Sequence, residues 1–202
     1  LELRKQWAKN RIINLVFHGH SVPAGYFKTP DVRSFQAYPL LVHQELKAIY
    51  PFAVLNAINT SIGGEHSESG ASRFQQHVLN HRPDVLFIDY ALNDRGIGLE
   101  RAKKAWESMI EAALAKNIKV ILLTPTPDWS VDILDDNTTL AKHAQQIRDL
   151  AAKHRVGLVD SYAEFKNKVK KGENIRDYLS QINHPNEKGH RVVVALIMQY
   201  LK

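Results

Sequence analysis

The sequence predicts one three-layer α/β/α domain, with a parallel β-sheet between two layers of helices. Short apolar runs bounded by Gly, Pro and Asn alternate five times with stretches whose apolar residues recur at helical spacing. No Gly/Ser-rich linker or internal repeat interrupts that alternation, and 202 residues suit a single domain, 1–202, with a substantial core.

Ile12-Ile13-Asn14-Leu15-Val16-Phe17 reads as the first strand, stopping abruptly at Gly19-His20-Ser21. A hydroxyl is thereby left at the carboxyl end of a strand, where open α/β sheets bind ligands. After a loop with Pro23, Gly25, Pro30 and Asp31, Ser34 is expected to cap a helix reaching Tyr50, with Leu40, Leu41, Leu46 and Ile49 as its apolar stripe. Residues 52–58 form a second strand. The loop Asn59–His66 contains Gly63 and Gly64, which tolerate positive φ. A helix over 69–80 turns Phe74 and Val78 inward, and Val85–Tyr90 is a third strand ending at Ala91-Leu92-Asn93-Asp94. Residues 99–117 show a helical stripe of Ala102, Ala105, Trp106, Met109, Ile110, Ala113 and Leu114. A fourth strand over 118–123 stops at Thr124-Pro125-Thr126-Pro127, and residues 128–136 form a loop containing Trp129. Asn137 caps a helix to His154, residues 156–160 are a fifth strand, and a helical region covers 162–170. Asn186, after Asn183-His184-Pro185, caps the closing helix.

Right-handed crossovers would put all five strand carboxyl ends on one edge. The polar clusters at His18–Ser21, Ser61–His66, Asn93–Asp94 and after Pro125 then gather there. His184 joins them only if the last helix docks against the sheet.

Composition narrows the chemistry. The apolar fraction is 44% and the charged fraction 24%, as in globular domains, and no run approaches the ~18 apolar residues of a membrane span. The absence of cysteine removes disulfides, thiolate nucleophiles and zinc–sulfur sites. Net charge is +6, but its densest basic group, Lys166, Lys168, Lys170 and Lys171, is interleaved with Asn and Val and reads as a solvated helix face. No nucleic-acid partner is expected, since that would want a longer basic stripe with exposed aromatics. Leu1–Lys5 is too polar for a signal peptide; the start without Met leaves an upstream segment, and export, open.

Ester hydrolysis through an acyl-enzyme needs a nucleophilic oxygen, a base and donors facing the oxyanion. Ser21 and His184 offer the first two, and a loop glycine and an asparagine side chain suit the third. These residues fall in four blocks: Gly19-His20-Ser21, Gly64 within Ser61-Ile62-Gly63-Gly64-Glu65, Ala91-Leu92-Asn93-Asp94 and His184-Pro185-Asn186. In order and spacing they resemble the SGNH hydrolases, the GDSL-type esterases and acylhydrolases. The resemblance implies a flavodoxin-like sheet of order 2-1-3-4-5. It also implies Ser21 as nucleophile, His184 as general base and then acid, an oxyanion hole of the Ser21 and Gly64 N–H groups with the Asn93 side chain, and no metal or organic cofactor.

Two positions depart from the family pattern. His20 stands where it has Asp, which puts loop rigidity in question. Gln181 stands where it has the acid, three residues before the histidine; Asp177 one helical turn earlier, Gln181 through its carbonyl, or a backbone carbonyl are the alternatives for that role.

The expected activity is a serine esterase acting on a small-molecule or carbohydrate ester and removing a small acyl group such as acetyl. The alternatives are a catalytically weakened relative that binds a glycan, or metal-assisted hydrolysis by His18, His20, His66 and His190. An α/β-hydrolase elbow is excluded, because Gly-x-Ser-x-Gly would need glycine where Pro23 stands. Trp129 either lines an acyl or sugar pocket or anchors its loop.

Overall fold

Side chains along a strand alternate between faces, and here each face meets its own layer of helices. A computed structural model describes residues 2–202 of the chain. Its parallel sheet runs in the order β2-β1-β3-β4-β5, from β1 (Ile12–Gly19), β2 (Val54–Asn59), β3 (Val85–Asp89), β4 (Lys119–Leu123) and β5 (Gly157–Val159). The expected strand order is observed.

Ile13, Leu15 and Phe17 of β1, Phe87 of β3 and Ile121 and Leu123 of β4 pack in one core with α2 (Tyr38–Ile49), α7 (Ser161–Lys170) and α8 (Glu187–Leu201). The alternate residues Val16, Leu86, Ile88, Val120 and Leu122 pack in a second core with α4 (Phe74–His77), α5 (Leu99–Leu114) and α6 (Thr139–His154). Two short helices complete the layers, α1 (Ser21–Ala24) and α3 (Ser67–Ser72), and a separate antiparallel pair is formed by β6 (Leu179–Gln181) and β7 (His184–Pro185). No helix among the described residues is long and apolar enough to cross a membrane.

Element boundaries differ from expectation for identifiable reasons. Ser34 starts only a single 3-10 turn, and α2 begins at Tyr38-Pro39, where a proline with preset φ and no N–H to satisfy belongs. The stretch 69–80 is interrupted at Arg73, whose guanidinium turns back to Glu65 (2.8 Å) and the Thr60 carbonyl (2.8 Å). Thr138 rather than Asn137 caps α6, its hydroxyl accepting from Ala141 N–H. Leu114 and Ile49 sit at the frayed ends of their helices and are exposed. Asn186 caps α8 as expected, accepting from Gly189 N–H at 3.0 Å.

Gly19 closes β1 where the chain passes closest to β3: a Cβ there would lie 2.4 Å from the Asp89 carbonyl oxygen and 2.8 Å from Pro23. Gly19→Ala is expected to cost about 1–3 kcal/mol, read as a lowered midpoint in urea, because backbone cannot yield as a side-chain tip would. Two buried histidines add an acid sensitivity. Burial lowers the pKa of His18 to about 3, and that of His190 to about 3. Each is neutral in the fold but binds a proton in the unfolded chain below about 6.5, so stability is full above that pH and is lost as pH falls toward 3. Urea midpoints should drop between pH 7 and pH 4.5, and drop less in His190→Gln, which keeps an acceptor for the Tyr38 N–H now bound by His190 Nδ1 (3.3 Å).

Candidate active site

The turn from β1 into α1 fixes Ser21. His20 has extended backbone and caps α1, its Nδ1 accepting from Val22 N–H at 3.2 Å, as an aspartate at that position would through its carboxylate. Its other ring nitrogen faces Asp89 Oδ1 at 3.4 Å, and Asp89 Oδ2 accepts from Tyr38 OH at 3.1 Å. All of this lies in the interior beneath Ser21. The loop whose rigidity the missing aspartate put in question therefore keeps its cap. Gly25, at φ 97°, ends the single turn.

His184 arrives from the opposite end of the chain. The docking of α8, through Val193, Val194, Ile197 and Met198, sets the β6–β7 hairpin against the edge of the sheet. There His184 Nε2 lies 2.9 Å from Ser21 Oγ, and both residues are buried, 7% and 8% exposed. Burial, reinforced by nearby His20, lowers the His184 pKa below its ordinary 6.5, while the Phe27 carbonyl opposes the shift. The ring is neutral at neutral pH.

The residue at the second ring nitrogen is Gln181, whose Nε2 lies 2.9 Å from His184 Nδ1. Asp177 does not reach it. One turn of helix would have brought residue 177 beneath 181, but residues 179–181 are strand, and Asp177 is exposed in a 3-10 turn with its carbonyl accepting from Asn186.

Two of the three proposed oxyanion donors, Gly64 and Asn93, sit on neighbouring loops that are tied together. Asn93 Nδ2 donates to the Glu65 carbonyl at 2.8 Å, one residue beyond Gly64, leaving its second amide hydrogen free. Gly64 has φ 82° and nothing within 4 Å of where a Cβ would stand, so it opens onto free space. Asp94, the last residue of its block, turns into the interior. It is buried and accepts from Ser67 N–H (2.8 Å) and Trp106 Nε1–H (2.7 Å), and burial raises its pKa.

The histidines do not converge. His18 Nδ1 faces Thr60 Oγ1 and its Nε2 the Gly70 carbonyl and Tyr90 OH, on the face of β1 away from His20; His66 caps α3. Among the described residues no three His, Asp or Glu side chains form a group suited to a metal ion. Trp129 is half-buried, its backbone N–H donating to the Ile182 carbonyl at 2.9 Å and its ring lying 5.1 Å below the Arg176 guanidinium, so it anchors its loop to the hairpin that carries His184.

The model of the GDSL-like Lipase/Acylhydrolase family matches residues 17–192. The chain belongs to that family. Among solved structures, an acetylxylan esterase from Geobacillus stearothermophilus superposes with a TM-score of 0.79 at 19% identity, covering 93% of each chain. A two-domain esterase active on acetylated mannans superposes at TM-score 0.78 and 22% identity, covering 94% of this chain but 48% of that one. A curated relative, the lipoprotein YqeF of Bacillus subtilis (strain 168), is 35% identical over 81 residues, 36% of this chain and 33% of its own length. The chain thus spans about half of that two-domain esterase, and the aligned part about a third of that lipoprotein. For this GDSL-like protein the structural likeness establishes the fold.

Sequence reasoning missed the cluster of Glu65, Arg73, Tyr90 and His18, in which Arg73 donates to Glu65 and to the Thr60 carbonyl while Tyr90 OH faces both Glu65 (3.3 Å) and His18 (3.1 Å). It holds the Gly64 loop against β3. Its only trace in sequence was a charged pair, Glu65 and Arg73, eight residues apart across a helix start. Asp94→Ala is expected to cost about 2–4 kcal/mol, because the Ser67 and Trp106 N–H groups are left buried without acceptors. The check is the urea midpoint beside near-ultraviolet circular dichroism of Trp106.

Proposed function

We propose that the protein is a serine esterase that removes a small acyl group, such as acetyl, from a carbohydrate or comparable alcohol. The observation that carries this is the 2.9 Å contact between Ser21 Oγ and His184 Nε2 at the carboxyl edge of the sheet. Ser21 Oγ attacks the acyl carbon while its proton passes to His184 Nε2, and negative charge collects on the former carbonyl oxygen. The Ser21 and Gly64 N–H groups and the free hydrogen of Asn93 Nδ2 are the donors proposed to meet that charge. The imidazolium returns the proton to the departing alkoxide as the ester C–O bond breaks, and water repeats the sequence to free the acid. No metal or organic cofactor enters this scheme.

Acetylated polysaccharide as substrate is supported by the fold shared with the acetylxylan and acetylmannan esterases. A small acyl group suits the short loops, which carry no long apolar lid. The lipoprotein relative favours a place outside the cytoplasm.

Hydrolysis of p-nitrophenyl acetate and labelling by a fluorophosphonate test the proposal. Ser21→Ala should abolish both, and unchanged turnover in that variant rejects it. Asn93→Ala should lower kcat by about 10²–10³ with little change in KM, as for loss of one oxyanion donor. The acid limb of kcat/KM should fall below pH 6.5, because burial depresses the His184 pKa and the charged ring cannot accept a proton.

A further inference from the structure

Gln181 brings an amide to the place where the family resemblance asks for a carboxylate, and the fold decides which way that amide points. Thr29 N–H, which can only donate, lies 3.0 Å from Gln181 Oε1 and takes the oxygen. The Nε2 end is left facing His184 Nδ1 at 2.9 Å, with Thr29 Oγ1 at 3.3 Å as its other neighbour. Turning the amide over would set its two hydrogens against the Thr29 N–H. Only a bare ring nitrogen can receive an amide N–H, so His184 Nδ1 carries no hydrogen. A neutral imidazole bare at Nδ1 carries its hydrogen on Nε2, and Nε2 is the atom beside Ser21 Oγ. The hydrogen between the two groups therefore belongs to the ring, and the serine hydroxyl receives it.

We propose that Gln181, oriented by the Thr29 N–H, is a positioning residue that holds His184 in the tautomer unable to take the Ser21 proton, so that the resting site is latched and turnover waits on release of the amide. The inference rests on the esterase reading for its kinetic consequence but not for the tautomer itself. Release needs no rearrangement of the core. Thr29 is exposed, so water can replace Gln181 at its N–H, and the Phe27 carbonyl lies close enough to His184 to favour its protonated form. In the resting geometry that carbonyl accepts from Ser180 Oγ at 2.6 Å, and the side chain placed at His184 Nδ1 is Gln181, at 2.9 Å.

His20 is not a substitute base. Its Nδ1 lies 3.4 Å from Ser21 Oγ, but the one lone pair there is engaged by Val22 N–H at 3.2 Å. A proton on that nitrogen would confront the Val22 N–H and uncap α1.

Gln181→Glu is the informative variant. It has the shape of glutamine and offers two acceptors, one for Thr29 N–H and one for His184 Nδ1–H, which leaves Nε2 bare toward Ser21. An amide in place of a triad acid costs about 10⁴ in kcat in a comparable enzyme, partly through the wrong tautomer. With an exposed latch the expected gain is smaller, about 10²-fold in kcat on p-nitrophenyl acetate with KM little changed. The acid limb of the pH profile should move to higher pH, because a carboxylate beside the ring favours imidazolium. Gln181→Met, which removes the amide altogether, should equal or exceed wild type. Nitrogen-15 NMR of the wild-type protein at pH 7.5, with His184 assigned by its loss in His184→Asn, should show Nε2 protonated and Nδ1 bare. The opposite tautomer overturns the proposal, whatever the variants do. So does a Gln181→Glu protein no faster than wild type while a fluorophosphonate still labels Ser21, or a tenfold fall in Gln181→Met, which would make Gln181 a supporting acceptor. Absence of Ser21-dependent hydrolysis in both wild type and Gln181→Glu rejects the esterase reading and the kinetic latch with it, and the NMR result then decides the tautomer alone.

Discussion

The site depends on burial of the inner face of α8. Val193, Val194, Ile197 and Met198 join the core formed with Leu41, Val42 and Leu46 of α2 and Leu15 and Phe17 of β1. That apolar contact holds an imidazole from residue 184 against a hydroxyl from residue 21. At ~25 cal/mol per Å², burying four aliphatic side chains offsets the ordering of a C-terminal segment that propensity alone would leave marginal. Gly189 lets the helix start close by, since a Cβ there would lie 2.3 Å from the Tyr178 carbonyl oxygen. The approach of His184 to Ser21 is thus a by-product of hydrophobic packing remote from it, with the Asn186 cap and the short β6–β7 hairpin setting the last few ångströms.

Polar groups around the site divide by depth. Beneath Ser21 the chain places His20, Asp89 and Tyr38 in contact, Tyr38 OH donating to Asp89 Oδ2 while His20 Nε2 and Asp89 Oδ1 lie 3.4 Å apart without a hydrogen bond. Above it, the Asn93 amide retains a free hydrogen and Gly64 faces open space. Packed polar groups form the floor, and the donors left under-used near the surface are those proposed to meet a developing negative charge. Substituting His20 for aspartate conserves the floor because an imidazole nitrogen and a carboxylate oxygen are both acceptors at the start of a helix.

Strand positions were legible in the sequence because each strand is a short, mainly apolar run ended by a polar or turn-forming residue, and the alternation of Val16 against Leu15 and Phe17 follows from the pleat. The first three blocks were also legible, since each falls at or just after the end of a sheet strand, whereas His184-Pro185 lies within the separate β6–β7 hairpin. Helix starts were less so. Ser34 and Asn137 both carry capping chemistry, but Pro39 and Thr138 mark the actual ends, and local preference alone does not rank competing caps. The neighbour of His184 was open among three groups because the choice turned on whether residues 177–181 are helical. Leu179–Gln181 pair with Pro185 and His184 instead, which no periodicity over so few residues can reveal. The direction of the Gln181 amide depends on a backbone N–H 152 residues away and has no signal in sequence at all.

The loop after β4 has a further consequence, for how such a domain diversifies. Trp129 is fastened by its backbone to Ile182, in the same tight turn that presents His184, and Asp128 beside it receives Arg95 at 2.8 Å from the segment following Asn93. That loop therefore shares its moorings with the hairpin that carries His184 and with the segment that follows Asn93. Insertions at residues 128 and 129 would disturb both at once, whereas the stretch between Ser130 and Asp136, where the chain is mostly exposed to solvent, lies outside both moorings.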